Sequence, residues 1–155
     1  MACFEGMAVL NKKGFTIVEI ILVVALLGVL STISIPIYKK TMAYYELHTA
    51  ARMISTDIRL AQQRAITEGK NYLVLFDTVN NKYLIKSNSS DAELRQLPER
   101  IAIDYTSFAD NTLTFSPSGA PTAGHVGISD VYGNNLYIIV AVATGRVRIS
   151  NEPPL

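Results

Sequence analysis

The chain has 155 residues, with 14 Lys plus Arg against 13 Asp plus Glu, which gives room for one modest domain and an anchor rather than two domains. A formal net charge of +1 excludes a whole-molecule field that draws in nucleic acid, so any such binding has to come from a local patch. One cysteine, Cys3, and two distant histidines, His48 and His125, provide no disulfide and little support for metal or nucleophilic catalysis.

The first element is apolar. Ile20 to Tyr38 carries no charge over nineteen residues, enough for a membrane-spanning helix, because the ~30 Å hydrocarbon core needs about 20 residues at 1.5 Å each. A buried helix of a soluble protein and a secretory signal are the alternatives. A secretory signal would place its small-residue cleavage site after the apolar stretch. Here YKKTMAYY follows it, and the small residue, Gly14, precedes it. Lysines flank both ends, so charge does not settle the orientation.

Glu19 is out of place at the head of this segment, since an acid in a lipid-exposed helix costs several kcal/mol and calls for a partner. Cleavage after Gly14 would put a new cationic α-amine on Phe15, able to pair with Glu19 of the same or a neighbouring chain. It would also leave 12 basic and 12 acidic residues. The plain alternative is a glutamate that snorkels to the headgroups. Pro36 removes one backbone donor and crowds the preceding turn, which predicts a kink or a local opening.

Beyond Lys39 and Lys40, the residues Leu47, Ala51, Ile54, Ile58, Ala61 and Ala65 form one apolar stripe, as in an amphipathic helix. Glu46, Arg52, Asp57, Arg59, Arg64 and Glu68 are expected on the other face, and Gly69 offers a stop. A helix from Thr16 to Glu68 follows, its second half packed on a sheet. Strands are expected at 72–76, 83–85, 100–105, 112–115, 125–128, 136–142 and 146–149. Asn80-Asn81 and Thr144-Gly145 read as turns. GAPTAG (119–124) lacks the Lys-Ser/Thr of a phosphate loop and also reads as a turn. Asp130 with Asn134 and Asn135 reads as a hairpin turn rather than a calcium loop. Asn88-Ser89-Ser90 fits a glycosylation sequon. The fold class is α+β, a long helix on an antiparallel sheet.

Lys12-Lys13-Gly14, Phe15, Thr16 and Glu19, followed by the apolar run and Pro36, resemble the class III signal of type IV prepilins and pseudopilins. Thr114-Phe115-Ser116-Pro117-Ser118-Gly119 and Ala143-Thr144-Gly145-Arg146-Val147-Arg148 are similar to segments of the GspH/FimT minor pseudopilins. The resemblance implies a leader at 1–14, starting at Met1 or Met7 and cut by a prepilin peptidase between Gly14 and Phe15, with N-methylation of Phe15. It implies an assembly helix at 15–38 with Glu19 used in assembly, an amphipathic continuation at 39–69, a β-rich domain at 70–150 and a loose tail at 151–155. The implied protein is a single-pass subunit of the cytoplasmic (inner) membrane with its C-terminal domain outside the cytoplasm. Its partners would be the lipid bilayer, other pilin or pseudopilin subunits and the inner-membrane assembly platform. Its destination would be a type II secretion pseudopilus or a type IV pilus. No cofactor, metal or catalytic residue is implied. The alternative is a DNA-binding minor pilin in natural transformation, with Arg146 and Arg148 as contacts, joined by Lys82 or Lys86 if they share a face.

Overall fold

The computed structural model describes residues 14–87, 90–142 and 144–154. Residues 1–13 of the expected leader, Asn88 and Ser89 of the sequon, and Ala143 lie outside them. The chain divides into two units between Tyr38 and Lys39, and one helix, α1 (Ile17–Glu68), contributes to both.

In the first unit, an 18-residue window of α1 has a mean hydropathy of 2.7 and none of it is buried. Among the described residues, α1 is the one helix long and apolar enough to cross a membrane. Pro36 lies inside it. Just before the proline, the Ser31 and Thr32 hydroxyls donate to the carbonyls of Leu27 and Val29, each at 2.7 Å. This back-bonding satisfies the hydroxyls without a neighbour and tends to bend helices.

In the second unit the apolar stripe behaves as its spacing predicts. Leu47, Ala51, Ile54, Ile58, Ala61 and Ala65 are all buried, joined by Ala43 and Ala50. Ala50, Ala51, Ala61 and Ala65 and the two isoleucines belong to the same buried cluster as the inward-facing strand residues. The helix ends at Glu68, where Gly69 takes φ +64° and the Lys70 N–H returns to the Ala65 carbonyl, a left-handed stop that glycine adopts at little cost.

Eight strands follow among the described residues: β1 (Tyr72–Asp77), β2 (Lys82–Ser87), β3 (Ser90–Gln96), β4 (Ile101–Thr106), β5 (Thr112–Phe115), β6 (Gly124–Asp130), β7 (Asn135–Val140) and β8 (Val147–Ser150). They form two antiparallel four-stranded sheets, β3-β2-β1-β5 and β4-β6-β7-β8, in keeping with the expected α+β class. Alternation along β1, β2, β5 and β7 sends Val74, Ile85, Leu113 and Ile138 into one buried cluster with the helix stripe. The sheets are also tied by a polar clamp. Asn81, at φ +51° in the β1–β2 turn, accepts the Ile103 N–H of edge strand β4 on its side-chain oxygen at 3.0 Å, and the Leu97 N–H on its carbonyl at 3.1 Å.

Strand β3 is unexpected from sequence, and Asp57 is a correction. Asp57 was expected on the polar face of the helix, but it is buried. Its carboxylate accepts the Tyr83 hydroxyl at 2.6 Å and pairs with Arg95 of β3 at 3.3 Å. Arg64 on the helix holds Glu93 of the same strand at 2.6 Å. Burial, reinforced by the hydrogen bond to Asp57, raises the Tyr83 pKa well above that of a free phenol, so the hydroxyl stays a neutral donor.

Two carboxyls give the domain a defined acid limit. The Arg64 hydrogen bond is the main cause holding Glu93 below its ordinary 4.5. For Asp130, burial pushes upward, but hydrogen bonds from Asn134, Tyr132 and Gly133 outweigh it and hold the group below 3.8. Depressed folded-state values mean that this stabilisation is complete above the unfolded pKa and is lost as pH falls through the folded one. Denaturant midpoints measured across pH should therefore be level from neutrality to about pH 5 and decline below about pH 4. A midpoint still level at about pH 3 contradicts these two assignments.

Candidate functional site

Gly14, Phe15 and Glu19 lie at the start of the first unit, all exposed, with Phe15 at 79%. Thr16 precedes the helix as its N-cap: its hydroxyl accepts the Glu19 N–H at 3.3 Å, and its carbonyl accepts the Glu19 and Ile20 N–H groups at 3.1 and 3.2 Å. Thr16-Ile17-Val18-Glu19 is thus a Thr-x-x-Glu start signal, with an acid favourably placed in the first turn. Sequence reasoning noted Thr16 but missed this capping role, which the three-residue spacing to Glu19 signals.

The cap uses only the Glu19 backbone N–H. For the carboxylate, its first-turn position contributes roughly 0.3–1 kcal/mol, whereas an acid within a membrane helix costs about 2.5–3.5 kcal/mol at the centre. The side-chain carboxylate itself faces outward. Beside it, Phe15, Ile17, Val18, Ile20 and Ile21 are each more than half exposed. Such a dense apolar surface around one acid exceeds what an isolated soluble helix leaves uncovered.

Arg146 and Arg148 lie elsewhere, in the second unit. Both are exposed, at and just before edge strand β8, and neither has an ion pair among the described residues. Lys82 and Lys86, the conditional additions to the arginines, belong to β2 of the other sheet. Arg148 is in register with Ile139, which is in register with His125. His125 meets the Tyr105 ring edge-on at 5.5 Å, and Tyr105 lies 6.4 Å from Tyr137. Gly127 makes room for this aromatic group, since a Cβ there would meet the Tyr105 ring at 2.8 Å. Sequence reasoning missed this cluster because its members come from three strands.

The Asp130 turn is a closed hairpin connection between β6 and β7. One carboxylate oxygen takes the Tyr132 and Asn134 N–H groups at 2.9 Å, and the other takes the Asn134 amide at 2.7 Å. Among the described residues, no group of three or more His, Cys, Asp or Glu side chains is placed to hold a metal ion.

Comparison with known proteins adds to this geometry. Residues 10–35 match the prokaryotic N-terminal methylation motif, and residues 50–151, about two-thirds of the chain, match the type II transport protein GspH. The type IV major alpha-pilin of Moraxella bovis is 27% identical over 101 residues, spanning 64% of this chain and 63% of that protein. The chain thus matches less than two-thirds of that pilin's length. The competence protein ComGD of Bacillus subtilis (strain 168) is 30% identical over 147 residues, 92% of this chain and 96% of the relative. In fold, the minor pseudopilin EpsH from the Type 2 Secretion System of Vibrio cholerae superposes with a TM-score of 0.57 at 16% identity, covering 68% of this chain and 96% of that one. A capped, fully exposed apolar helix, a two-sheet domain built on its continuation and these two matched models agree: the chain belongs to the GspH family of pilin-like proteins.

Proposed function

We propose that the protein is a structural minor pilin or pseudopilin subunit of a type II secretion pseudopilus or a type IV pilus. It enters the inner membrane as a single-pass precursor with residues 70–150 outside the cytoplasm. A prepilin peptidase cuts between Gly14 and Phe15 and methylates the new terminus. The assembly platform then moves residues 15–38 from lipid into a bundle of like helices. The observation that carries this reading is the unburied apolar part of α1, headed by the Thr16 cap and Glu19. Lipid covers it before assembly, and neighbouring helices cover it afterwards. Pro36, beside the back-bonded Ser31 and Thr32, makes local unwinding cheap when the helix adapts from one setting to the other. Membranes from cells lacking the peptidase should contain the chain at precursor mass. A mass that does not depend on the peptidase contradicts the processing step.

A second reading, DNA binding in competence, has its own support. Arg146 and Arg148 are exposed and unpaired among the described residues, beside an aromatic sheet face, and the whole-length relative is a competence protein. Two phosphate contacts predict a shallow salt dependence, a log–log slope of about −2. Arg146→Ala with Arg148→Ala should abolish DNA retention by residues 39–155 at low salt. Unchanged retention by the double variant removes this reading.

A further inference from the structure

The β6–β7 turn is rigidly built and yet ends on two exposed apolar residues. Val131 is 65% and Tyr132 48% exposed, while Asp130 and Gly133, at φ +83°, close the turn beneath them. Neither tip residue is needed to hold the turn, because the bonds come from Asp130, the backbone and Asn134. The turn also has a defined neighbour. Asn134 lines one hollow with Lys40, Thr41 and Tyr44, and another with Tyr44, His48 and Asn151. The tip therefore lies at the N-terminal end of the second unit's helix, where Lys39 directly follows the apolar residues in the chain. That end also exposes Tyr44 and Tyr45, and its acid Glu46 is neutralised by Arg100 at 3.6 Å.

We propose that this end of the domain is a foot on the bilayer surface: Val131 and Tyr132 enter the headgroup region while Lys39 and Lys40 meet lipid phosphates. The inference rests on the reading that residues 15–38 span the membrane. Tyrosines favour the headgroup level because their rings are apolar and their hydroxyls stay wet, and lysines place their amines there while their stems remain in the apolar layer. The Asp130 bonds that close the turn hold the two tip residues in an exposed position. Anionic headgroups strengthen the foot through the two lysines.

The chain has no tryptophan, so a single introduced indole reports its own environment. Full-length Tyr132→Trp and Lys70→Trp proteins, the latter labelled just past the far end of α1, are reconstituted in vesicles of equal parts phosphatidylcholine and phosphatidylglycerol. The expected result is that lipids brominated near the headgroup quench the Tyr132→Trp protein roughly twofold and that its emission shifts to the blue. The Lys70→Trp protein should show neither change. If both proteins float with the vesicles and the tip label behaves like the far-end label, the foot is wrong and the membrane span stands. If neither floats, the membrane span itself is wrong, and the foot with it. A tip label that is shielded only in assembled filaments assigns the tip to a neighbouring subunit and also overturns the proposal.

Discussion

Glu19→Ala should leave membrane insertion intact and reduce incorporation into filaments by more than tenfold. In the proposed assembly, the Phe15 amine of one subunit meets Glu19 of another as lipid is replaced by neighbouring helices. Removing the acid leaves a cation buried without a counter-charge, at a cost of several kcal/mol, and about 1.4 kcal/mol already amounts to tenfold. The decisive variant is Glu19→Gln, because it keeps the side chain's length and hydrogen-bonding capacity and removes only its charge. If Glu19 acted only as a helix cap, the Gln protein would assemble normally. If it supplies charge, Gln fails almost as badly as Ala. Thr16→Ala loses the cap at 3.3 Å but keeps the charge, so its defect should be the mildest of the three. Quantifying the subunit in sheared-filament and membrane fractions checks the order, and normal incorporation of Glu19→Gln sinks the charge-pairing role.

Asp57→Ala should destabilise the domain by about 2–3 kcal/mol, because it leaves the buried Tyr83 hydroxyl without its acceptor. Tyr83 is only 1% exposed and donates at 2.6 Å, so water has no ready access to replace the carboxylate. Arg95, with its side chain 42% exposed, can turn to solvent and adds less. The reverse deletion is gentler. Tyr83→Phe keeps the ring packing and leaves Asp57 with Arg95, at a cost of about 1 kcal/mol. Urea unfolding of residues 39–155 gives both values. Equal costs would mean that the orphaned hydroxyl is not the dominant effect.

The helix is largely legible in the sequence because two independent patterns meet in it: a charge-free run before Tyr38 and a 3-4 stripe from Leu47 to Ala65. Several strands are legible for the same reason, since one face of each is apolar. Strand β3 breaks that rule. Its helix-facing positions are Glu93 and Arg95, in register with Ile85 and Tyr83, so ion pairs to Arg64 and Asp57 replace apolar contacts there. The burial of Asp57 is hidden for the matching reason: its partners come from strands far along the chain. Division into two sheets depends on pairings such as β1 with β5 and β4 with β6, which local alternation does not encode. In the site, the glycine, phenylalanine and offset acid are visible as a motif, and the Thr16 cap is visible in its spacing. The Tyr105–His125–Tyr137 face is not, because it exists only once three strands are in register.

The central claim is that this chain leaves the membrane and becomes part of a filament. Mass spectrometry of a sheared, purified filament fraction tests it most directly. The expected result is an N-terminal peptide that begins at Phe15 and carries one added methyl group. A chain absent from filaments while its processed form stays in the membrane, or present there with residues 1–14 still attached, would contradict it.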